Sequence, residues 1–443
     1  MAKVHGGYKK VAEGKTKVIL ALPNDRDSIL VKSKDAITAG DGAKKDILQK
    51  KGVHSTSTTC NIFEFLRSCG IPTHFKERVL EDTFRAIKCD MLPLEVVARR
   101  IATGSYIRRN PAVPSGYRFT PPSIEFFLKD DLRHDPLMTS FEILKEKVTS
   151  KEGHPITQVH LDWMTSVCQL VFLLLERAWN ERRVALVDLK VEFGFDPEGE
   201  CILADVIDND SWRIWPGGDK SLMKDKQVYR DLTEISQDAL NNISKNYEWV
   251  AENTSYFTQR SDLLCVILMG SPEDQGYTLE IQRILEQYGV PVQCGILSAH
   301  KTPESLLARI HEIEGIGKRI VYIAVAGRSN GLGPVIDGST AFPVINCPPY
   351  SDKFGGMDIL SSLRLPSGLA PVTVIEPEAA ALACVKILAN DDSVLWGRLK
   401  VNAWKRIQRL LEEDRKLLSR RFLEQFESNS KKEYRKVKDG GSI

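Results

Sequence analysis

Between Val11 and about Asp208 apolar residues recur mostly at every second position, in short runs closed by polar turns. This is the pattern of antiparallel sheet with one face covered. Along Val187-Asp188-Leu189-Lys190-Val191-Glu192-Phe193 the apolar side chains take one face and Asp188, Lys190 and Glu192 the other. A long helix is predicted over 162–183. Beyond Asn253 the texture changes. Leu263–Met269, 290–297, 319–326 and 343–347 are compact apolar runs separated by helix-like stretches, which predicts βα units and a parallel sheet covered on both faces. The expected organisation is an α+β domain with antiparallel sheets over 1–255, a linker at 256–261, and a three-layer α/β domain over 262–427. The lysine-rich segment 428–443 lacks periodicity and is expected to be a disordered basic tail.

Composition narrows the function. A chain of 443 residues is long enough for two or three domains with substantial cores. Its 61 basic and 59 acidic residues nearly cancel, so no global field argues for a nucleic-acid or membrane partner, and anion recognition must be local. No apolar leader opens the sequence and the longest apolar runs are short, so a cytoplasmic protein is expected. Nine scattered cysteines without a C-x-x-C pair suggest neither a disulfide framework nor a zinc site.

Two constellations carry chemistry. In Glu13-Gly14-Lys15-Thr16-Lys17 the two lysines project from one strand face and Gly14 permits close backbone approach, which suits a polyphosphate. A solvated hairpin with basic decoration would read the same. In the hairpin 187–208, a turn at 197–200 brings Glu192 opposite or close to Asp205. Facing carboxylates repel, so a cation between them is expected, and hard oxygen ligands fit Mg²⁺ completed by a nucleotide phosphate. A structural ladder of ion pairs through Lys190 is the competing explanation. Arg99, Ser105 and Arg213 lie in segments that combine guanidinium, hydroxyl and glycine backbone, the means of gripping a phosphate monoester. Lys129 belongs to a further polar loop with Asp130, Asp131 and Asp135.

The motifs E-G-K-T-K (13–17), S-K-D-A-I-T-A-G-D-G (33–42), R-R-I-A-T-G-S (99–105), D-L-K-V-E-F-G (188–194) and A-D-V-I-D-N-D-S-W-R (204–213) resemble the successive motifs of the succinocarboxamide synthetase family. The resemblance implies ATP contacts from Gly14, Lys15, Lys17 and Lys190, and Mg²⁺ on Glu192 and Asp205. It implies substrate ribose phosphate on Arg99, Ser105 and Arg213, with Asp210 and Lys129 lining the substrate side. The implied chemistry is activation of an imidazole carboxylate by ATP as an acyl phosphate, followed by attack of L-aspartate. Val206 stands where bacterial relatives usually carry Glu.

In the C-terminal half each buried strand runs into a polar loop. Ser271 can cap a helix opened by Pro272, the next loop is Ser298-Ala299-His300-Lys301, and the third is the glycine-rich 326–334. In a doubly wound sheet such loops converge at the carboxyl ends of the strands, where ligands bind. No G-x-G-x-x-G opens these helices, so no dinucleotide is expected. A histidine such as His300 suits proton transfer, and serves as readily as a structural hydrogen-bonder.

L-M-G-S (268–271) with Asp274, S-A-H-K-T-P (298–303), A-G-R-S-N-G-L-G-P (326–334) and S-S-L-R-L-P-S-G (361–368) resemble the aminoimidazole ribonucleotide (AIR) carboxylase family. That resemblance implies a flavodoxin-like fold, a ribonucleotide held by Ser271, Asp274, Ser298, Ser329, Asn330 and Gly331, and His300 as proton shuttle beside Lys301. It implies CO₂ as co-substrate and an octamer built through this domain. Lys301, and the sequence at 329–334, favour the direct CO₂-using animal type over the bacterial mutase; no Met-Lys-Met context occurs, so biotin is not implied. Glu273 stands where relatives often carry Ser. Together the two resemblances imply a bifunctional carboxylase and succinocarboxamide (SAICAR) synthetase; the alternatives are one active domain with the other kept as scaffold, or a nucleotide sensor.

Overall fold

The computed structural model describes residues 4–5, 8–39 and 44–439, of which 4–5 and 419–439 by backbone alone. Positions 40–42 of the second synthetase-like motif lie outside the described residues. Two compact units are resolved, 1–397 and 398–443.

Beside a two-stranded sheet, Ala36–Ala39 with Lys44–Ile47, the alternating N-terminal half forms two large antiparallel sheets. One contains, in spatial order, Tyr8–Glu13, Lys17–Leu22, Asp25–Ser33, Thr83–Ile87 and Phe75–Leu80. The other is built around Val184–Phe195, which pairs along one edge with Asp90–Ile101 and along the other with Trp212–Pro216 and then Cys201–Ala204. The two-residue step Lys88–Cys89 carries the chain from the first sheet to the second. Between these sheets lies the cleft that holds the first constellation.

The predicted helix spans Gln158–Glu181 and starts four residues earlier than its apolar periodicity indicated. Thr157 accepts the His160 N–H while the His160 ring accepts the Thr157 N–H, a capping box with histidine in place of Glu or Gln, which hid the start. By length and composition this helix could cross a membrane. Its apolar face instead packs against Val184–Phe195, burying residues such as Phe172 and Trp179, as a core helix does.

The unbroken C-terminal runs become a parallel sheet in the order Val292–Ile296, Leu263–Met269, Arg319–Val325, Val344–Asn346, Val372–Thr373. Numbered along the chain this is 2-1-3-4-5, the flavodoxin-like order. All seven residues of Leu263–Met269 are buried, because helices cover both faces.

The expected linker is pinned. Asp392 accepts Arg260 Nε at 2.7 Å and the Ser261 N–H at 3.3 Å, while its other oxygen caps Leu395 N at 2.7 Å. Ser393 bonds Glu181 at 2.6 Å, tying the carboxyl-terminal end of the parallel-sheet domain to the synthetase-like core helix. Of the segment expected to be a disordered basic tail, residues 428–439 continue helix Ser393–Asp439 and 440–443 lie outside the described residues. Interleaved Glu, Lys and Arg, which read as low periodicity, are good helix formers on every face.

Candidate functional sites

The cleft between the antiparallel sheets opens into a cavity of about 650 Å³. From the first sheet come Lys15, Thr16 and Lys17; from the second come Glu95, Lys190, Glu192 and Asp205, with Lys129, Asp210, Lys226 and Arg230 from the loops and helices around it. Six basic and six acidic side chains line it, so its charges must interlock.

Glu192 pairs in register with Ala204, which puts Asp205 one residue past the pairing, close to Glu192 as its hairpin predicts. Asp205 adopts φ 64°, a left-handed conformation rare for a residue with a side chain. Its carboxylate is engaged by Lys17, the lysine that the E-G-K-T-K strand projects into the cleft. Glu192 is 4 % exposed and receives Lys129 Nζ at 2.6 Å and Lys190 Nζ at 3.0 Å. Lys190 also reaches Glu95 at 2.8 Å, so the ion-pair ladder and the carboxylate pair coexist on one strand face. Burial works to raise the Glu192 pKa, but the ammonium groups of Lys190, Lys129 and Lys17 outweigh it and hold the carboxyl down to about 2. Burial pushes Lys17 down to about 8, partly countered by Glu192. Asp210 is gripped by the Tyr247 hydroxyl at 2.6 Å and Lys226 at 3.0 Å; burial works to raise its pKa, but Lys51, Lys226 and that hydroxyl drive it well below the usual carboxylate range.

Three residues expected on the substrate phosphate lie outside the cavity lining. Arg99 is buried, donating to Glu125 and, at 2.9 Å, to Asp188. Arg213 meets the same Asp188 and stacks its guanidinium where a Cβ on Gly104 would come within 2.9 Å, so Gly104, at φ 57°, is the residue that admits it. Ser105 begins a short helix immediately after. Sequence reading missed Glu95, on strand Asp90–Ile101, Lys226 and Arg230, at helix Gln227–Asp231, and Tyr247, on helix Gln237–Thr254, none of them in a local motif. Two carboxylates from adjoining strands, among lysines suited to phosphate, fit a single Mg²⁺ that shares its shell with a nucleotide. No cluster of three or more ligating side chains is found among the described residues.

The second cavity, about 470 Å³, lies at the carboxyl ends of the parallel strands and gathers four strand-end loops. Ser271, Asp274, Ser298, His300, Lys301 and Ser329 line it together. Ser271 caps Glu273 N at 3.3 Å ahead of Pro272, as its sequence predicts. Thr302 acts differently from a helix cap: its hydroxyl accepts the Ser298 N–H at 2.9 Å and closes the loop on which His300 rides. The His300 ring lies against Gly331, where an added Cβ would come within 2.8 Å of it. Asn330 is buried and positions rather than lines: it bonds Ser362 at 2.9 Å and caps Gly333 N at 3.1 Å. Burial raises the Asp274 pKa. Arg328, at φ 59° with its N–H held by Asp358 at 2.9 Å, and Tyr350 also line the cavity; Arg328 was visible only as part of the glycine-rich motif and Tyr350 had no signal.

Comparison with known proteins assigns families to both segments. The SAICAR synthetase family model matches residues 10–246 and the AIR carboxylase model residues 264–408. "Multifunctional protein ADE2" of Gallus gallus is 44% identical over 411 residues, 92% of this chain and 96% of that protein. The bifunctional phosphoribosylaminoimidazole carboxylase/phosphoribosylaminoimidazole succinocarboxamide synthetase of Homo sapiens is 44% identical over 401 residues, 89% of this chain and 94% of its own length. Among solved structures, Treponema denticola PurE is 40% identical, covering 35% of this chain and 98% of its own, with a TM-score of 0.34.

Proposed function

The chain belongs to the bifunctional AIR carboxylase/SAICAR synthetase family of purine biosynthesis, and from that premise we propose how each cavity performs its step. The observation that carries the ligase assignment is the convergence of Lys17, Lys129, Lys190, Glu192 and Asp205 in one cleft. We assign 1–255 to the synthetase, 256–261 to the connector and the segment from 262 to the carboxylase.

In the synthetase, Gly14, Lys15, Lys17 and Lys190 would receive ATP. Ile19 and Ala21 continue the Lys17 face of their strand and are half-buried, a surface suited to the adenine ring. Glu192 and Asp205 would hold Mg²⁺, whose chemistry is neutralisation of phosphate charge. A substrate carboxylate oxygen attacks the γ-phosphorus and the bond to the β-phosphate oxygen breaks, giving an acyl phosphate and ADP. The aspartate amine then attacks the acyl carbon, phosphate departs and the amine gives up a proton, yielding SAICAR. The chain's own contribution is to position the reactants and screen charge. Lys129 and Asp210 border the substrate, while Arg99 and Arg213, with Ser105 beside them, fix the wall of the site through Asp188.

In the carboxylase the electron-rich ring carbon of AIR attacks CO₂, forming the carbon–carbon bond, and the proton on that carbon leaves to His300. Lys301 offers a charge for the new carboxylate, and Ser271, Asp274, Ser298 and Ser329 hold the ribonucleotide. We further propose a cytoplasmic homo-octamer joined through this domain. Exposed Tyr350, Phe354, Met357 and Ile375 supply apolar surface for such contacts.

Aspartate-dependent ADP release tests the ligase directly. ATP turnover indifferent to aspartate would sink it, and a carboxylated product formed from AIR and bicarbonate without ATP is the matching test of the second site.

A further inference from the structure

A third cavity, about 460 Å³, belongs to neither reaction and shares no lining residue with either catalytic cavity. That volume is within the range of small-ligand sites. Its walls come from both synthetase sheets. Arg26 and Lys88 stand on the first sheet's side; His154, His160 and Phe195 stand on the second's.

Three features make it more than a surface dent. Asp90 is only 8 % exposed and accepts the Ser150 hydroxyl, the Glu152 N–H at 2.9 Å and His154 Nδ1 at 2.8 Å. With its Nδ1 committed to that carboxylate, His154 is held in place while 62 % exposed, and its Nε2 has no partner among the described residues. His160, kept neutral by burial, takes the Thr157 N–H on Nδ1 at 3.2 Å, which leaves Nε2 as a donor. Both imidazoles pack edge-on around Phe195, at 6.1 and 5.0 Å between ring centroids, giving an aromatic wall with polar tips. Opposite it, the side chains of Arg26 and Lys88 have no hydrogen-bond or ion-pair partner among the described residues, while the Lys88 backbone N–H is anchored to Asp27 O at 2.8 Å. Of the acids nearby, Asp90 is engaged with His154 and Asp196 with the amides of its own turn at 2.8 and 3.0 Å. Asp27 and Glu152 remain to accept ribose hydroxyls.

A planar heteroaromatic ring against the imidazoles, an anionic group on Arg26 and Lys88, and hydroxyls between them describe one ligand class. We propose that this cavity binds a purine nucleoside monophosphate and thereby regulates the ligase. The coupling route is short. Strand Asp90–Ile101 carries Asp90 in this cavity and Glu95 in the catalytic one; strand Val184–Phe195 carries Phe195 here and Glu192 there. At about 3.3 Å per residue, Phe195 and Glu192 are separated by roughly 10 Å of strand. The ligand would also touch Lys88, on the two-residue step that joins the two sheets flanking the catalytic cleft, which gives its occupancy a second route to the walls of that cleft.

The test titrates AMP, adenosine and ribose 5-phosphate separately into the full-length protein by calorimetry. AMP is expected to bind, with adenosine and ribose 5-phosphate each at least about tenfold weaker, since each lacks one charge-assisted or stacking half of the site. Arg26→Ala/Lys88→Ala and, separately, His154→Ala should weaken AMP to a like degree while leaving aspartate-dependent ADP release intact. Saturating AMP should move the KM for ATP by roughly fivefold in the wild type and not in the double variant. No AMP binding, binding unaltered by Arg26→Ala/Lys88→Ala because AMP occupies a catalytic cavity, or an unmoved KM each overturns the proposal. Because basal ligase activity is read in the same variants, such a failure is separable from failure of the ligase assignment.

Discussion

The synthetase cavity is lined by six basic and six acidic side chains, whereas the carboxylase cavity has Lys301 and Arg328 against Glu273 and Asp274, with His300 among them. On the mechanism proposed above the first would handle a polyphosphate, a metal and two carboxylates while ADP leaves, and so would need many charges that re-pair as the reaction proceeds. Within the cleft they neutralise one another, as Lys17 does Asp205 and Lys129 does Glu192. The second, on the same proposal, would handle one monophosphate and a neutral gas. Loop backbone and hydroxyls at strand ends are enough for the phosphate, and a single placed imidazole suffices for the proton. The two sites therefore differ in what makes them fragile: charge balance in one, ring placement in the other.

Removing one charge from the first site should give the largest effect. Glu192→Ala is expected to reduce aspartate-dependent ADP release roughly 10³-fold, because it removes a carboxylate proposed to hold Mg²⁺ and leaves Lys129 and Lys190 without that partner. Carboxylation should be unchanged, and chelation with EDTA should reproduce the same split. Equal losses in both activities would mean that the domains do not work separately. His300→Ala should cost the carboxylase roughly 10²-fold and leave ligation of supplied carboxylate intact.

A smaller and more discriminating change is Gly331→Ala. Its Cβ would come within 2.8 Å of the His300 ring, so the imidazole must shift, and a loss of about tenfold in carboxylase kcat is expected with little change in KM. If kcat is unaffected, the placement of His300 is not what limits the second site.

The smallest effect concerns stability. His74 is buried between Phe63 and Phe84, and burial pushes its pKa from 6.5 down to about 3. The folded ring stays neutral while the unfolded ring protonates below 6.5, so the unfolded state takes up the extra proton and stability falls as pH drops from 6.5. At pH 5 the cost is about 2 kcal/mol, confined to the synthetase domain, and His74→Leu should flatten that part of the pH–stability curve in chemical denaturation. An acid limb unchanged by the substitution would shift the cause to the carboxylates.

Local pattern carried much of this molecule. Period-two runs and continuous apolar runs separated the antiparallel from the parallel sheet because burial on one face or two leaves different signatures in side-chain order. The hairpin 187–208 placed Glu192 near Asp205, and the Ser271-Pro272 cap followed from neighbours in sequence. Where partners are remote, sequence was silent. Arg99 and Arg213 read as free phosphate grips, yet Asp188 holds both, which depends on strand pairing across 89 and 25 residues. Glu95, Lys226 and Arg230 entered the ligase cavity, and Tyr247 reached Asp210 behind it, only through packing of distant elements.

What the sequence alone determined, then, is which residues could do chemistry and on which strand face or loop they lie, since those properties are set by local periodicity and turn residues. Tertiary structure decided which of them meet and which are already spent on one another. A charge pair's worth depends on burial and on the separation of its partners, and neither exists until the sheets have closed on the cleft.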